Sequence, residues 1–146
     1  MPEQETLERA EEDKLEGKSP STQAGEFVHE EMEHIREGEH GARSTKQAIA
    51  IGLSKARRAG VKLPASQSAS KRTRAQAARD IRKGRSSGSK KASAKRSRAT
   101  SRALKREGHS AASRTALSRQ ARSAAAKRSA ASRSRSAKKA AASRKK

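Results

Sequence analysis

The chain has 146 residues and a formal net charge of +22, with 36% charged residues, 1% aromatic residues and no cysteine. So few large apolar groups and so much charge are typical of disordered proteins, because little apolar surface is available to offset the entropy of ordering the chain. The composition excludes disulfides and thiolate metal sites, and no apolar run approaches the about 18 residues of a membrane span. We expect a cytoplasmic protein without membrane contact and with one small folded unit.

Charge is divided sharply along the chain. Residues 1–40 contain thirteen acidic and four basic residues, a net charge of −9, whereas residues 41–146 contain two acidic and thirty-three basic residues, a net charge of +31. Such asymmetry predicts a polyanionic partner for the basic part. Composition divides the chain into an acidic segment (1–18), a helical hairpin (about 19–64) and a basic low-complexity tail (65–146).

The acidic segment has little apolar surface. Thr6 is placed to cap a short helix that ends near Gly17. Apart from Met1, its large apolar residues are Leu7 and Leu15. We therefore expect a frayed helix or a disordered segment.

Residues 19–38 carry the signals of an amphipathic helix. Ser19 is a favourable N-cap, Pro20 fits the first helical position, and Gly38 is suited to a left-handed C-terminal cap. One apolar stripe recurs at helical spacing and consists of Ala24, Val28, Met32 and Ile35, with Phe27 beside it.

A second helix is predicted from Ser44 to Gly60, after the seven-residue connection EGEHGAR. Ser44 begins a Ser-x-x-Gln capping box, Gly60 fits a Schellman motif with the following valine, and Pro64 prevents continuation. The apolar face of this helix consists of Ile49, Leu53 and Ala56, broadened by Ile51.

The two helices are complementary in apolar face and in charge, so they predict a hairpin. About 45 residues is near the lower limit for an unaided core, which leaves a marginal monomer and a homodimer that pools two hairpins as alternatives. Gly52, in the middle of the second helix, costs about 1 kcal/mol relative to Ala. Either another helix crosses closely there or the glycine is incidental.

The tail contains twenty-seven basic residues among its 82 residues, mixed with Ala and Ser. We expect it to be disordered in solution and helical over 76–84 and 113–131 when its charge is neutralised. The predicted fold class is therefore mainly α with extensive disorder: a short helical hairpin followed by a long basic tail.

The tail predicts binding to nucleic acid through the phosphate backbone. Each neutralised phosphate releases condensed counterions, with a slope of log K against log salt of about −0.9 per contact on duplex DNA. The tail has no aromatic residue on which bases could stack, and no RRM, KH or zinc-finger pattern is present. Binding is therefore expected to be largely independent of sequence, with duplex DNA favoured and RNA as the alternative.

The second predicted helix can add an ordered phosphate contact. Its N-terminus carries positive dipole character and is flanked by Arg43 and Lys46; ordinary capping with solvated charges is the alternative. A helix-turn-helix is disfavoured because the connection is longer than the usual three or four residues. The predicted nucleic-acid contacts are the following basic residues of this helix and of the tail: Arg43, Lys46, Lys55, Arg57, Arg58, Lys71, Arg72, Arg74, Arg79, Arg82, Lys83, Arg85, Lys90, Lys91, Lys95, Arg96, Arg98, Arg102, Lys105, Arg106, Arg114, Arg119, Arg122, Lys127, Arg128, Arg133, Arg135, Lys138, Lys139, Arg144, Lys145 and Lys146.

Metal and catalytic sites are not predicted. The run HEEMEH (29–34) resembles HExxH, but His29 and His34 are five positions apart and diverge by about 140° on a helix. His40 can approach His34 without a compelling third ligand. No activated nucleophile and no phosphate-cradling glycine loop is present, so we expect no enzyme, no cofactor and no small-molecule substrate.

The block KQAIAIGLSKARRAG, Lys46 to Gly60, resembles the shared element of a family of small basic bacterial proteins of unknown function. The resemblance extends over about residues 20–64; it implies a bacterial origin and carries no activity or site residue to transfer. The tail is similar in composition to linker-histone C-terminal tails and to bacterial histone-like proteins.

Together these observations predict a non-enzymatic, nucleoid-associated DNA-binding protein that acts by phosphate neutralisation. One alternative is an RNA- or ribosome-associated basic protein. The other is a protein-interaction or regulatory module in which the basic tail determines localisation.

Overall fold

The structure, a computed structural model, describes residues 1–86 and 93–144. Within these residues the chain is helical and contains no strand, which confirms the expectation of a mainly α fold. The helices are α1 (Gln4–Leu15), α2 (Pro20–Glu37), α3 (Thr45–Arg58), α4 (Lys71–Arg85), α5 (Ala94–Lys105), α6 (Arg114–Ala126) and α7 (Ala130–Ser143), with a 3₁₀ turn at Ser110–Ala112.

The expectation of extensive disorder is wrong for the described residues. The tail forms α4 to α7, and three of its elements, α4, the 3₁₀ turn and α6, pack against the hairpin of α2 and α3 to make a helical bundle. Alanine explains the difference, because it has the highest helix propensity and its small side chain allows close packing. Ala77, Ala111 and Ala112 are all buried, although a count of large apolar residues leaves them out.

α1 is also folded and packed on α2, contrary to the expectation of a frayed segment. Thr6 is not its cap: the N-cap position is Glu3, and Thr6 is buried. Ala10 joins the apolar residues of α2 in one cluster. Arg9 Nε lies 2.9 Å from Glu26 Oε2, so an ion pair reinforces the contact between the two helices.

The predicted ends of α2 are confirmed. The Ser19 hydroxyl accepts a hydrogen bond from the Thr22 N–H at 3.4 Å, Pro20 occupies the first turn, and Gly38 has a φ of 85°. A left-handed residue at this position lets the next N–H reach back to the last turn, as that of Glu39 does to the His34 carbonyl at 3.0 Å. The predicted stripe is buried at Ala24, Phe27, Met32 and Ile35, and partly buried at Val28.

The ends of α3 are confirmed as well, with one shift. Ser44 Oγ accepts from the Gln47 N–H at 3.2 Å, but Gln47 Oε1 accepts from the N–H of Arg43 rather than from that of Ser44. At the other end Gly60 has a φ of 110°, and the Val61 N–H donates to the Ala56 carbonyl at 3.0 Å. With the bond from the Gly60 N–H to the Arg57 carbonyl at 3.2 Å, this forms the expected Schellman motif.

Small residues form the centre of the α3 face that meets α2. Ala48, Gly52 and Ala56 are buried, whereas Ile49 and Leu53 are partly buried beside them. A Cβ atom at Gly52 would lie 2.7 Å from Val28 Cα. The glycine therefore permits a close crossing of the two helices, and the alternative that it is incidental is not needed.

Elements from both ends of the chain cover the hairpin. Beside the core residues of α2 and α3, one apolar cluster contains Ala111 and Ala112 of the 3₁₀ turn, with Leu117 of α6 packed against it. The other contains Ala10 of α1, with Leu7 packed against it. A second copy of the hairpin is thus not required to bury these faces.

Asp80 fastens α4 to α3. Its side chain is 1% exposed and accepts hydrogen bonds from Ser54 Oγ at 2.7 Å, Arg58 Nε at 2.9 Å and Gln76 Nε2 at 3.2 Å. Burial alone would raise the pKa of Asp80, but these hydrogen bonds and the Arg58 charge outweigh it and hold the pKa below its usual value. Further along α4, Gly84 lies so close to the Arg57 carbonyl that a Cβ atom would overlap it.

We expect Asp80 to make stability depend on pH in the acid range. Because its pKa is lower in the folded chain than the about 3.9 of an unfolded aspartate, its contribution is complete above about pH 4 and is lost as the pH falls below that value. Asp80→Asn should lower the free energy of unfolding by about 1–2 kcal/mol at pH 7 and by less at pH 3. Urea unfolding at the two pH values measures this; an equal loss at both would contradict the assignment.

Candidate nucleic-acid interface

A basic cleft lies where α6 meets the start of α3. It has a volume of about 490 Å³, and its charged lining consists of Arg43, Lys46 and Arg119. Ser44, Thr45 and Ser110 contribute polar groups to the same wall. We call the cleft that is lined by Arg43, Lys46 and Arg119 the basic cleft.

Contacts between the hairpin and the tail hold the basic cleft in place. Thr45 Oγ1 donates a hydrogen bond of 2.7 Å to the Ala111 carbonyl, which ties the first turn of α3 to the 3₁₀ turn. Arg36 Nε donates a 3.0 Å bond to the neighbouring carbonyl of Ala112. Leu117 of α6 packs against the apolar cluster that contains Ala111 and Ala112, and this contact positions α6. Packing therefore brings Arg119 of the tail to Arg43 and Lys46, which flank the start of α3.

The start of α3 suits an anion. The first-turn N–H groups of a helix carry partial positive charge, and anions are stabilised there, by about 0.3–1 kcal/mol at exposed sites. The helix has fourteen residues and no acidic residue in its first turn. The side chain of Arg43 is 83% exposed and lies 3.7 Å from Glu107, an ion pair too long and too solvated to hold it firmly.

The basic surface continues along α6. A shallow depression is lined by Arg114, Arg119 and Arg122, together with Thr115 and Ser118. Ser113 caps the helix by accepting a hydrogen bond from the Ala116 N–H at 3.2 Å. The arginines of this face are exposed. Since Arg119 lines both depressions, the cleft and this α6 face form one continuous basic surface.

The cations of the tail have no acidic partners within the described part of the chain. The two acidic residues of the tail pair with arginines of the hairpin instead. Asp80 lies 2.9 Å from Arg58, and Glu107 faces Arg43. No described Lys or Arg of residues 65–86 or 93–144 has a carboxylate oxygen within 4.0 Å. Thirteen acidic residues lie in the first forty positions of the same chain, yet none of them forms an ion pair with a described cation of the tail.

Of the five hairpin cations predicted to contact nucleic acid, three have structural partners. Lys55 Nζ lies 2.7 Å from Glu31 Oε2, and Arg58 binds Asp80. Arg57 Nε donates a 2.6 Å hydrogen bond to the Leu63 carbonyl, and partial burial lowers the pKa of Arg57. Arg43 and Lys46 remain, and the structure brings them together with Arg119.

The predicted tail residues are exposed wherever they are described, on α4 to α7 and the adjoining turns. Lys90, Lys91, Lys145 and Lys146 lie outside the described residues. Sequence reasoning missed the convergence of α6 on α3. The signal that was available is Glu107, one of the two acidic residues of the basic tail, which faces Arg43 of the hairpin.

No helix of the described residues is long and apolar enough to cross a membrane. No curated protein and no solved structure matches the chain. Residues 21–67, which contain α3 and all but the first residue of α2, match the model of a family of unknown function (DUF6496). The match covers 47 of the 146 residues and agrees with the resemblance to an uncharacterised family. Over its hairpin, therefore, the chain is similar to a family whose members have no assigned activity.

Proposed function

We propose that this is a non-enzymatic protein that binds duplex DNA through the phosphate backbone, largely independently of base sequence. Its ordered contact surface is the basic cleft with the adjoining face of α6, and the other exposed cations of α4 to α7 add contacts around it. On this proposal the protein associates with the nucleoid.

The observation that carries the proposal is the set of exposed cations on the tail helices, none of which has an acidic partner among the described residues. Exposed like charges repel one another, and a net charge far from zero destabilises a compact state. Solubility needs a net charge of about 2–8 for a small domain, well below the +22 of this chain. A polyanion would remove this repulsion, and its condensed counterions would be released into solution.

Contacts of this kind position a protein on the backbone without reading bases. The basic surface is lined by Arg, Lys, Ser and Thr, which are the usual donors to phosphate oxygens. The tail has no aromatic residue for base stacking. Duplex DNA is therefore a better ligand for this surface than an unpaired strand.

A salt titration with full-length protein tests the proposal. The five cations of the basic surface predict a slope of log K against log salt of about −4.5 or steeper on duplex DNA. Fluorescence anisotropy of a labelled duplex, between about 50 and 200 mM salt, measures it. A slope shallower than about −2, or no binding at the low-salt end, would contradict the proposal.

Competition at matched salt separates DNA from RNA. A structured RNA that displaces the labelled duplex at lower concentration than unlabelled duplex DNA would favour the RNA-associated alternative. The full chain is required, because the tail elements and the hairpin share one core and a separated tail would lose the packing that forms the basic cleft.

A further inference from the structure

Three side chains of metal-ligating type, two on α2 and one on the α2–α3 connection, lie close together. Glu31, His34 and His40 each direct one ligand atom into a group whose members all lie within 4.8 Å of one another. Glu31 and His34 are three positions apart on α2 and share a face, a spacing that metal-binding helical bundles use. His40 arrives from the connection, immediately after the Gly38 turn.

The hydrogen bonding of His40 leaves Nε2, with its lone pair, next to a carboxylate oxygen. His40 Nδ1 lies 3.0 Å from the Gly41 carbonyl oxygen, which accepts only, so Nδ1 carries the proton. In the neutral ring Nε2 is then an acceptor, and it lies 3.1 Å from Glu31 Oε1. Two acceptors at this distance repel unless a cation lies between them.

A proton on Nε2 fits the geometry poorly. Although the two atoms are close, Glu31 Oε1 receives no hydrogen bond, because the ring N–H direction does not point at it. A metal ion does not require that alignment. It binds each ligand at about 2.0–2.2 Å, so neighbouring ligand atoms of a tetrahedral site lie about 3.3–3.6 Å apart.

Glu31 is prepared to act as a ligand. Its side chain is 1% exposed, and neither carboxylate oxygen has a hydrogen-bond partner of good geometry. Oε2 lies 2.7 Å from Lys55 Nζ, and this ion pair fixes the orientation of the carboxylate. Oε1 is left to face His40.

The surrounding charges leave room for a cation. Lys55 lies near both buried carboxylates, Glu31 and Glu30, so one positive charge balances two negative ones. His34 adds no fixed charge; its Nε2 lies 3.1 Å from Glu3 Oε1, and its Nδ1 lies 3.8 Å from Glu39 Oε2. The groups that face His34 are thus acidic, whereas Arg58, Arg96 and Lys105 line the open cleft beside Glu31 and His40.

We propose that Glu31, His34 and His40 form a binding site for a divalent transition metal, with zinc as the ion that best suits two imidazoles and a carboxylate. Glu39 or a water molecule supplies the fourth ligand. Glu31 and His40 also line an open cleft of about 870 Å³ between the hairpin and α5, which gives the ion a path from solvent. The site is structural: it joins the connection to α2 and does not depend on the proposed DNA binding.

Titration of the untagged full-length protein with Zn²⁺, followed by calorimetry and by thermal unfolding, tests the site. Zinc should bind one equivalent per chain and raise the Tm, because it binds the folded state alone. Co²⁺ should give the visible absorption of a tetrahedral site. His40→Gln should weaken zinc binding by more than the about 10–100-fold that outer contacts contribute.

His29→Gln is the matched control, since His29 lies on α2 as well but is exposed and pairs with Glu33. It should bind zinc as the unsubstituted protein does. Equal affinity of His40→Gln and His29→Gln would overturn the site, and so would the absence of any zinc-induced rise in Tm. In that case the contact of His40 with Glu31 only joins the connection to α2. His40 lies outside the helices, so circular dichroism of its variant should show unchanged helix content.

Discussion

Replacing Arg43, Lys46 and Arg119 together with alanine should weaken the binding of duplex DNA about 500-fold at 0.1 M salt. Each phosphate contact contributes about 0.9 to the slope of log K against log salt. Between 1 M and 0.1 M salt, three contacts therefore raise the binding constant by about 2.7 decades. The slope itself should become less negative by about 2.7. Fluorescence anisotropy at four or five salt concentrations gives both quantities.

A matched variant decides whether the loss belongs to the basic cleft or to charge in general. Arg133, Arg135 and Lys138 lie on α7, a helix with no buried residue, and their replacement removes the same charge. Phosphates held in an ordered cleft predict a clearly smaller loss for the α7 variant. Equal losses would mean that the chain contacts DNA diffusely and that the cleft has no special part.

The ends of the hairpin helices were predictable because their causes are local. A Ser that caps the N–H groups three positions ahead, or a Gly that turns the chain into the left-handed region, acts within one turn of helix. Ser19, Gly38, Ser44 and Gly60 accordingly occupy the cap and turn positions expected from sequence alone.

The packing of the tail was not predictable from the same signals. Its core contacts are made by alanines, which occur throughout 65–146 in similar surroundings, so nothing local distinguishes buried Ala77 or Ala112 from exposed ones. The two acidic residues of the tail were the better signal. Asp80 and Glu107 interrupt a basic sequence, and both lie opposite hairpin arginines.

The candidate site shows the same division. Arg43 and Lys46 were predicted as a phosphate contact from their place beside a helix start, which is a local property. Arg119 was one of many tail cations until the packing of Leu117 and the 3₁₀ turn placed it across from them. The proposed metal site likewise needed the burial of Glu31, because the sequence drew attention to His29, His34 and His40 without a compelling third ligand.

Gly52→Ala should lower the free energy of unfolding by about 2 kcal/mol, and Gly52→Val by about 3 kcal/mol. Helix propensity alone predicts the opposite sign for alanine, a gain of about 1 kcal/mol. Packing outweighs it here, because the new Cβ would meet Val28 Cα at 2.7 Å and the Phe27 carbonyl oxygen at 3.0 Å. Both are backbone atoms, so relief requires the two helices to move apart, and overpacking of this kind costs about 1–3 kcal/mol or more.

Gly25→Ala supplies the control for helix propensity, because Gly25 lies within α2 and a Cβ atom there would meet nothing within 4 Å. It should raise the free energy of unfolding by about 0.5–1 kcal/mol. Urea unfolding of the two alanine variants should therefore give changes of opposite sign. A gain in both would show that the α2–α3 crossing is looser than the structure has it. Since Arg43 and Lys46 flank the start of α3, Gly52→Val should also weaken DNA binding, through the position of α3 rather than through charge.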